Sequence, residues 1–128
     1  MILLLDTSDY ICKMYLDDGN WSKNYEWQAD RQLAKRLFFE LTKFINSCDK
    51  KWSDITAIGV FMGPGSFTGL RIGLTVANTI ADSEKIPIVG AVGDDWKNEA
   101  ILKINNKIDE KIILPFYGSE ARITAPKK

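Results

Sequence analysis

The order of hydrophobic periodicities predicts a single α/β domain on a mixed five-stranded sheet, with elements in the order β-β-β-α-β-α-β-α. Three observations carry that prediction. Residues 2–27 break into three short strand-like runs separated by turn residues. Residues 31–48 and 67–82 repeat apolar side chains at the helical interval. Residues 63–73 read GPGSFTGLRIG directly after the apolar run Ile58–Met62, the pattern of a strand that ends in a tight turn and opens a helix.

Residues 2–7 form a nearly continuous apolar strand, as a central strand buried on both faces does. Residues 10–16 alternate in the half-buried manner, and Asp17-Asp18-Gly19-Asn20 turns the chain into 21–27. There Trp21, Lys23, Tyr25 and Trp27 share one face, and Ser22, Asn24 and Glu26 share the other. From a cap at Ala29 or Asp30, Leu33, Leu37, Leu41, Phe44, Ile45 and Cys48 fall in one helical arc, joined by Ala34 and Phe38. Phe39 lies opposite, among Lys35, Arg36, Lys43 and Asn46, where a large aromatic gains nothing from the fold and becomes a candidate contact residue.

Residues 55–62 form a fourth strand, and 67–82 a helix whose only charges are Arg71 and Asp82. A helix apolar nearly all round is buried nearly all round. Gly69, Gly73, Ala77 and Ala81 recur every fourth residue beside Leu70, a slim face open to either the sheet of this domain or a helix of another molecule. Ile86–Ala91 reads as a fifth strand, parallel to the first and fourth if the connections are right-handed crossovers. Asp94 or Asp95 starts a short helix to about Ile104, Asn105-Asn106-Lys107 ends it, and Lys111–Tyr117 is β-rich. The expected division is a domain over 1–104 and a tail over 105–128, with a short extended piece at Ile123 and Thr124.

In the glycine-rich turn, Gly63 and Gly65 admit positive φ or a close backbone approach, Pro64 fixes φ between them, and Ser66 or Thr68 caps the helix. Two readings stand at this level: a plain strand-to-helix connection, or an anion site on the first-turn amides and the helix dipole. The spacing is neither a Walker loop nor a dinucleotide fingerprint.

Lys plus Arg equal Asp plus Glu at 17 each, so net charge offers no support for independent binding to nucleic acid or an anionic membrane. Cys12 and Cys48 lack metal-type spacing and read as reduced thiols. The run Ile2–Leu5 stops at Asp6, far short of a signal segment, and no stretch approaches the ~20 apolar residues of a membrane span, which predicts a cytoplasmic protein. The chain has no histidine. Ser/His and Cys/His nucleophilic arrangements are therefore excluded within it.

GPGSFTGLRIG, with LLLDTS at 3–8, resembles the TsaB (YeaZ) family, non-catalytic relatives of TsaD in bacterial tRNA threonylcarbamoyladenosine synthesis. The resemblance covers about the first 95 residues and thins beyond Gly93. It implies one lobe of the actin and sugar-kinase type (ASKHA, ribonuclease H-like). It also implies a partner subunit of a TsaD-like enzyme, with a TsaE-like ATPase as a further partner and tRNA met only through the complex. The family motif falls on Gly63, Pro64, Gly65, Ser66, Phe67, Thr68, Gly69, Leu70 and Arg71, and the partner helices on 31–48 and 67–82. Phe39, Gly69, Leu70, Gly73, Ala77 and Ala81 are thus the expected partner-binding residues, and the same face is expected to accept a second copy when the partner is absent.

No tightly bound cofactor or metal is expected, with ATP or ADP admissible only at a partner interface. In phosphotransferases of this fold the first hairpin approaches ATP phosphates, and here its turn is Asp6-Thr7-Ser8-Asp9. The alternative function is therefore a phosphate- or nucleotide-binding lobe, with Asp6 holding magnesium and Thr7 and Ser8 donating hydroxyls beside the Gly63 loop. Against it stands an Asp6 that bonds only turn amides. Two departures from the family bear on the transfer. A histidine common near the start of the first helix is absent from Gln28-Ala29-Asp30-Arg31-Gln32, and the second lobe of longer members is missing. Leu114-Pro115-Phe116-Tyr117 followed by Arg122 resembles the Pro-x-Tyr tail of longer members, which favours a natural short form over a truncation.

Overall fold

Alternating side chains in the first 28 residues build a three-stranded antiparallel meander: β1 (Ile2–Asp6), β2 (Ile11–Asp17) and β3 (Ser22–Gln28). The computed structural model describes residues 1–114 of the chain. Asp17 and Asp18 hold the second turn, accepting hydrogen bonds from Gly19 N at 2.8 Å and from Asn20 N and Trp21 N at 2.8 and 2.9 Å. The Trp21 and Asn20 amides hold the Asp18 carboxyl below its usual range. The chain continues through α1 (Leu33–Ser47), β4 (Ala57–Phe61), α2 (Phe67–Glu84), β5 (Ile88–Ala91) and α3 (Trp96–Asn105). The sheet order is β3-β2-β1-β4-β5, with β4 parallel to both β1 and β5. This is the predicted mixed sheet and element order.

Alternation along β1 divides the core. Leu3 and Leu5 join Cys12, Met14, Leu16, Ile58 and Val60 under α1 and α2, while Leu4 joins Val89 and Ala91 under Trp96 and Ala100 of α3. Two antiparallel pairings make β3 parallel to β1, so α1 and α2 both return against the strand direction on the same sheet face. They lie side by side with their N-termini at the carboxyl ends of β1 and β4.

Several expectations are corrected. Asp30 does not cap α1: it sits at φ +46° in a 3-10 turn (Asp30–Gln32), and α1 starts at Leu33 with no side-chain cap. Ala34 and Phe38, expected in the buried arc, are exposed, because α2 covers only the inner edge of α1. The helix over 67–82 is not buried all round, since Thr68, Arg71, Thr75 and Thr79 face solvent.

No strand forms over Lys111–Leu114. The outer edge of β5 is already satisfied. Ile88 N donates to Asp109 Oδ1 at 3.1 Å and Gly90 N to Glu110 Oε1 at 2.7 Å, while Glu110 N and Lys103 Nζ donate to the carbonyls of Ile88 and Gly90. This closes an edge that would otherwise template pairing. Asn78 of α2 clamps the strap onward, donating to Ile113 O and accepting from Ile113 N, each at 2.9 Å. Ile113 is thereby part of the core, so the packed unit extends past the boundary expected at 104. Pro115, Phe116, Tyr117, Arg122, Ile123 and Thr124 lie outside the described residues.

Candidate functional site

Two regions at the helix N-termini were candidates for chemistry, and they fold into one closed junction. Ser66 caps α2, its Oγ accepting from Gly69 N at 3.3 Å. Asp6 Oδ1 accepts from Ser8 N at 2.9 Å and Ser8 Oγ at 2.6 Å, the Asx-turn role. The two turns then bond to each other: Ser66 N donates to Ser8 O at 2.9 Å, and Thr7 Oγ1 donates to Gly69 O at 2.8 Å. A Cβ at Gly73 would stand 2.7 Å from Thr7 Cγ2 and 2.9 Å from Thr7 Cβ, and one at Gly69 would collide with the Thr7 carbonyl oxygen. These glycines let α2 press on the end of β1. Thr7 thus packs against Gly69 and Gly73, and Ser8 against Gly65.

The slim face of α2 is therefore spent inside the lobe. Leu70 is 1 % exposed, Ala77 and Ala81 are equally buried, and Gly73 is covered by Thr7. This corrects the expectation that Gly69, Leu70, Gly73, Ala77 and Ala81 offer an open surface; sheet packing takes them first because only a small-residue face can approach β1 so closely.

What stays open is the groove between α1 and α2. Its upper end is lined by Ser8, Asp9, Tyr10, Asp30, Arg31, Ser66, Thr68 and Ile72, among others. Thr68 and Ile72 continue into a stretch with Ala34, Arg71, Thr75 and Val76, and Thr75 and Val76 continue into one with Phe38, Trp52, Thr79, Ile80 and Ser83. Phe38 is 55 % exposed and stacks on Trp52 with ring centroids 5.7 Å apart. Trp52 Nε1 donates to Thr42 Oγ1 at 3.0 Å, so the aromatic wall is fixed in place. Phe39 is 61 % exposed, as the helical wheel predicts, with Lys43 Nζ 5.8 Å from its ring centre. On the inner side of α1, the buried Glu40 carboxylate is held by Arg36 and by Tyr25 Oη. No cluster of three metal-ligating side chains occurs among the described residues. No helix among them is long and apolar enough to cross a membrane.

Residues 27–92, just over half of the chain, match the family model described as TsaD: tRNA N6-adenosine threonylcarbamoyltransferase. The protein of Bacillus subtilis named tRNA threonylcarbamoyladenosine biosynthesis protein TsaB is 36% identical over 88 residues, which is 68% of this chain and 38% of that one. Its namesake in Escherichia coli is 31% identical over 118 residues, 87% of this chain and 51% of that one. The chain belongs to the TsaB (YeaZ) family. YeaZ from Pseudomonas aeruginosa superimposes with a TM-score of 0.67 at 27% identity, over 71% of this chain and 43% of that one, which places the lobe in the ASKHA-like fold. The chain spans about half or less of the length of these TsaB relatives.

Within the TsaB motif, Gly63 has φ +126°, Pro64 and Gly65 form the turn against Ser8, and Ser66 is the cap. Phe67, Thr68 and Arg71 stand on the exposed side of α2, with the Arg71 guanidinium 5.3 Å from the Phe67 ring centre. Sequence reasoning missed Phe38, Ile72, Thr75, Val76 and Thr79. Their signal was present: residues 68, 72, 75, 79 and 83 repeat at three or four along α2, a semi-polar stripe beside the small-residue one.

Proposed function

We propose that this chain is a non-catalytic partner subunit of a TsaD-like enzyme in the threonylcarbamoyl modification of tRNA adenosine, docking through the outer faces of α1 and α2. The continuous α1–α2 groove, with Phe38 and Phe39 in solvent, carries this reading. It supplies apolar and aromatic surface of the kind partner interfaces centre on. The lack of histidine and the hydrogen bonds that tie the Asp6 and Gly63 turns to each other support a non-catalytic role. In the same reading the protein works in the cytoplasm, holds no cofactor of its own, meets ATP or ADP only at a partner interface, and reaches tRNA through the complex, where a TsaE-like ATPase also acts. The groove accepts a second copy when the partner is absent, which a doubled mass in light scattering at high concentration would register.

Co-purification with the TsaD-type protein of the same source tests the assignment. Phe39→Asp and Thr75→Arg are each expected to weaken retention about tenfold or more while leaving the urea midpoint unchanged. Folded variants that bind like the parent chain overturn it. The nucleotide alternative is tested by titrating ATP and magnesium into the isolated chain. Absent heat is the expected result, and saturable micromolar binding would restore a catalytic reading.

A further inference from the structure

Glu40 of α1 is the one charged side chain that is buried among the described residues, and docking through the outer faces of the helices makes no direct use of it. A buried carboxylate is costly, and apolar side chains of similar size in place of a buried ion pair are often neutral or stabilising. Stability of the lobe therefore does not by itself account for Glu40. Arg36, Glu40 and Phe44 follow one another at intervals of four residues and form a single ridge along one flank of α1. That ridge meets Tyr25 and Trp27, two residues apart on the edge strand β3 and so on one face of it. The Arg36 guanidinium lies 5.1 Å from the Trp27 ring centre and pairs with Glu40, and Tyr25 Oη donates to Glu40 Oε1 at 3.3 Å. The Phe44 and Tyr25 rings stack with centroids 5.9 Å apart. Ring-face contacts tolerate sliding, whereas the charge-assisted bonds of the carboxylate are directional. The opposite flank of α1 carries Phe38, two residues before Glu40 and about 200° round the helix, stacked on Trp52 beside α2. A roll of α1 over β3 therefore carries Phe38 and Phe39 with it.

From this we infer that Glu40 is a positioning residue for docking: through Arg36 and Tyr25 it fixes the roll of α1 over β3, and with it the directions in which Phe38 and Phe39 stand toward a partner. The inference rests on the docking reading above and names what holds that surface in shape. Leu33, Leu37, Leu41 and Ile45 under the helix supply apolar adhesion, which is non-directional and leaves the angle of the helix free. The carboxylate on one flank sets that angle. On the other flank the Phe38–Trp52 stack registers it.

The test uses the full chain carrying Arg36→Met with Glu40→Met, which removes both charges together so that neither is left unpaired. Its urea midpoint is expected to stay unchanged or rise. The nuclear magnetic resonance signal of the Trp52 indole proton, whose nitrogen donates to Thr42 Oγ1 at 3.0 Å on the far flank, is expected to shift as Phe38 and Thr42 move against it. Affinity for the TsaD-type protein of the same source is expected to fall about tenfold. Glu40→Gln keeps an acceptor for Arg36 and a partner for Tyr25, and is expected to retain the parental indole signal and most of the affinity. Tyr25→Phe removes one bond to the same carboxylate and is expected to give a smaller shift in the same direction. An indole signal unmoved in both the double variant and Tyr25→Phe overturns the inference whatever the affinity does. So does a moved signal with parental affinity while Phe39→Asp still weakens binding, and both outcomes leave the docking surface standing. A double variant that fails to fold, with the signal unmoved in Tyr25→Phe, assigns Glu40 to stability alone and overturns the inference too. Binding that survives Phe39→Asp and Thr75→Arg, or no binding at all, overturns the docking reading and the inference with it, a failure told apart because the indole signal is read without the partner.

Discussion

The closed junction of Thr7 and Ser8 with the glycine loop and the open groove a few turns along the same helix teach opposite lessons about how a motif is read. At the junction, glycines, a capping serine and a turn aspartate assemble what looks like an anion cradle. Ser66 N and Thr7 Oγ1 there bond across to the neighbouring turn, and Ser8 N and Gly69 N are held within their own. Along the groove beyond Arg71 no motif residue stands, yet aromatic and β-branched side chains stand in solvent along one seam. Backbone-permissive residues mark where the chain touches itself closely; semi-polar ones mark where it leaves room for another molecule.

The contrast is broken most severely at Gly73. Gly73→Leu is expected to unfold the lobe or leave it aggregating, since even a Cβ meets Thr7. Gly73→Ala should cost about 1–3 kcal/mol of overpacking strain. Urea denaturation reads the loss, and Thr7→Ala in the same chain should recover part of it through a positive coupling. An unchanged midpoint for Gly73→Ala would mean that the junction is not close-packed. Next in size is the β5 edge: Glu110→Ala leaves Gly90 N without its acceptor and is expected to cost about 1–3 kcal/mol, with added concentration-dependent association by sedimentation as the edge opens.

A smaller effect follows from the buried thiol. Burial first, then the Asp6 charge, push Cys12 up to about 12 from 9.0, with the Trp27 indole opposing. Between those values the folded chain keeps a proton that the unfolded chain has lost. The stability is therefore full below pH 9 and is lost as pH rises toward 12. Tyr15, raised by burial and then by the charges of Asp6 and Glu26, acts in the same direction. Cys12→Ala should make the alkaline decline of stability shallower, and iodoacetamide on the native parent chain should label Cys48 before Cys12. The smallest effect on stability belongs to the groove. Phe39→Asp and Thr75→Arg should each change the stability read by urea by no more than about 0.5 kcal/mol while weakening partner capture about tenfold or more, the inverse of Gly73→Ala.

Legibility followed the same division. Strand alternation in β2, the apolar run of β1 and the cap at Ser66 were readable because each depends on neighbours in sequence. The Asx role of Asp6 was readable for the same reason, its partner Ser8 being two residues away. Phe39 was placed correctly by helical angle alone. Phe38 was not, because its fate depends on how far α2 reaches across α1. The strap over 108–113 was missed as well, since its side chains bond to β5 some 20 residues earlier and its amides to α2.

By itself the sequence determined the elements, their order, the family motif and the absence of histidine chemistry, because periodicity, turn residues and composition act locally. The tertiary structure alone decided which face of α2 is spent and which remains. A glycine–alanine stripe is equally suited to a sheet or to a foreign helix, and only the approach of Thr7, 62 residues before Gly69, gives that stripe to the sheet and leaves the threonine stripe in solvent.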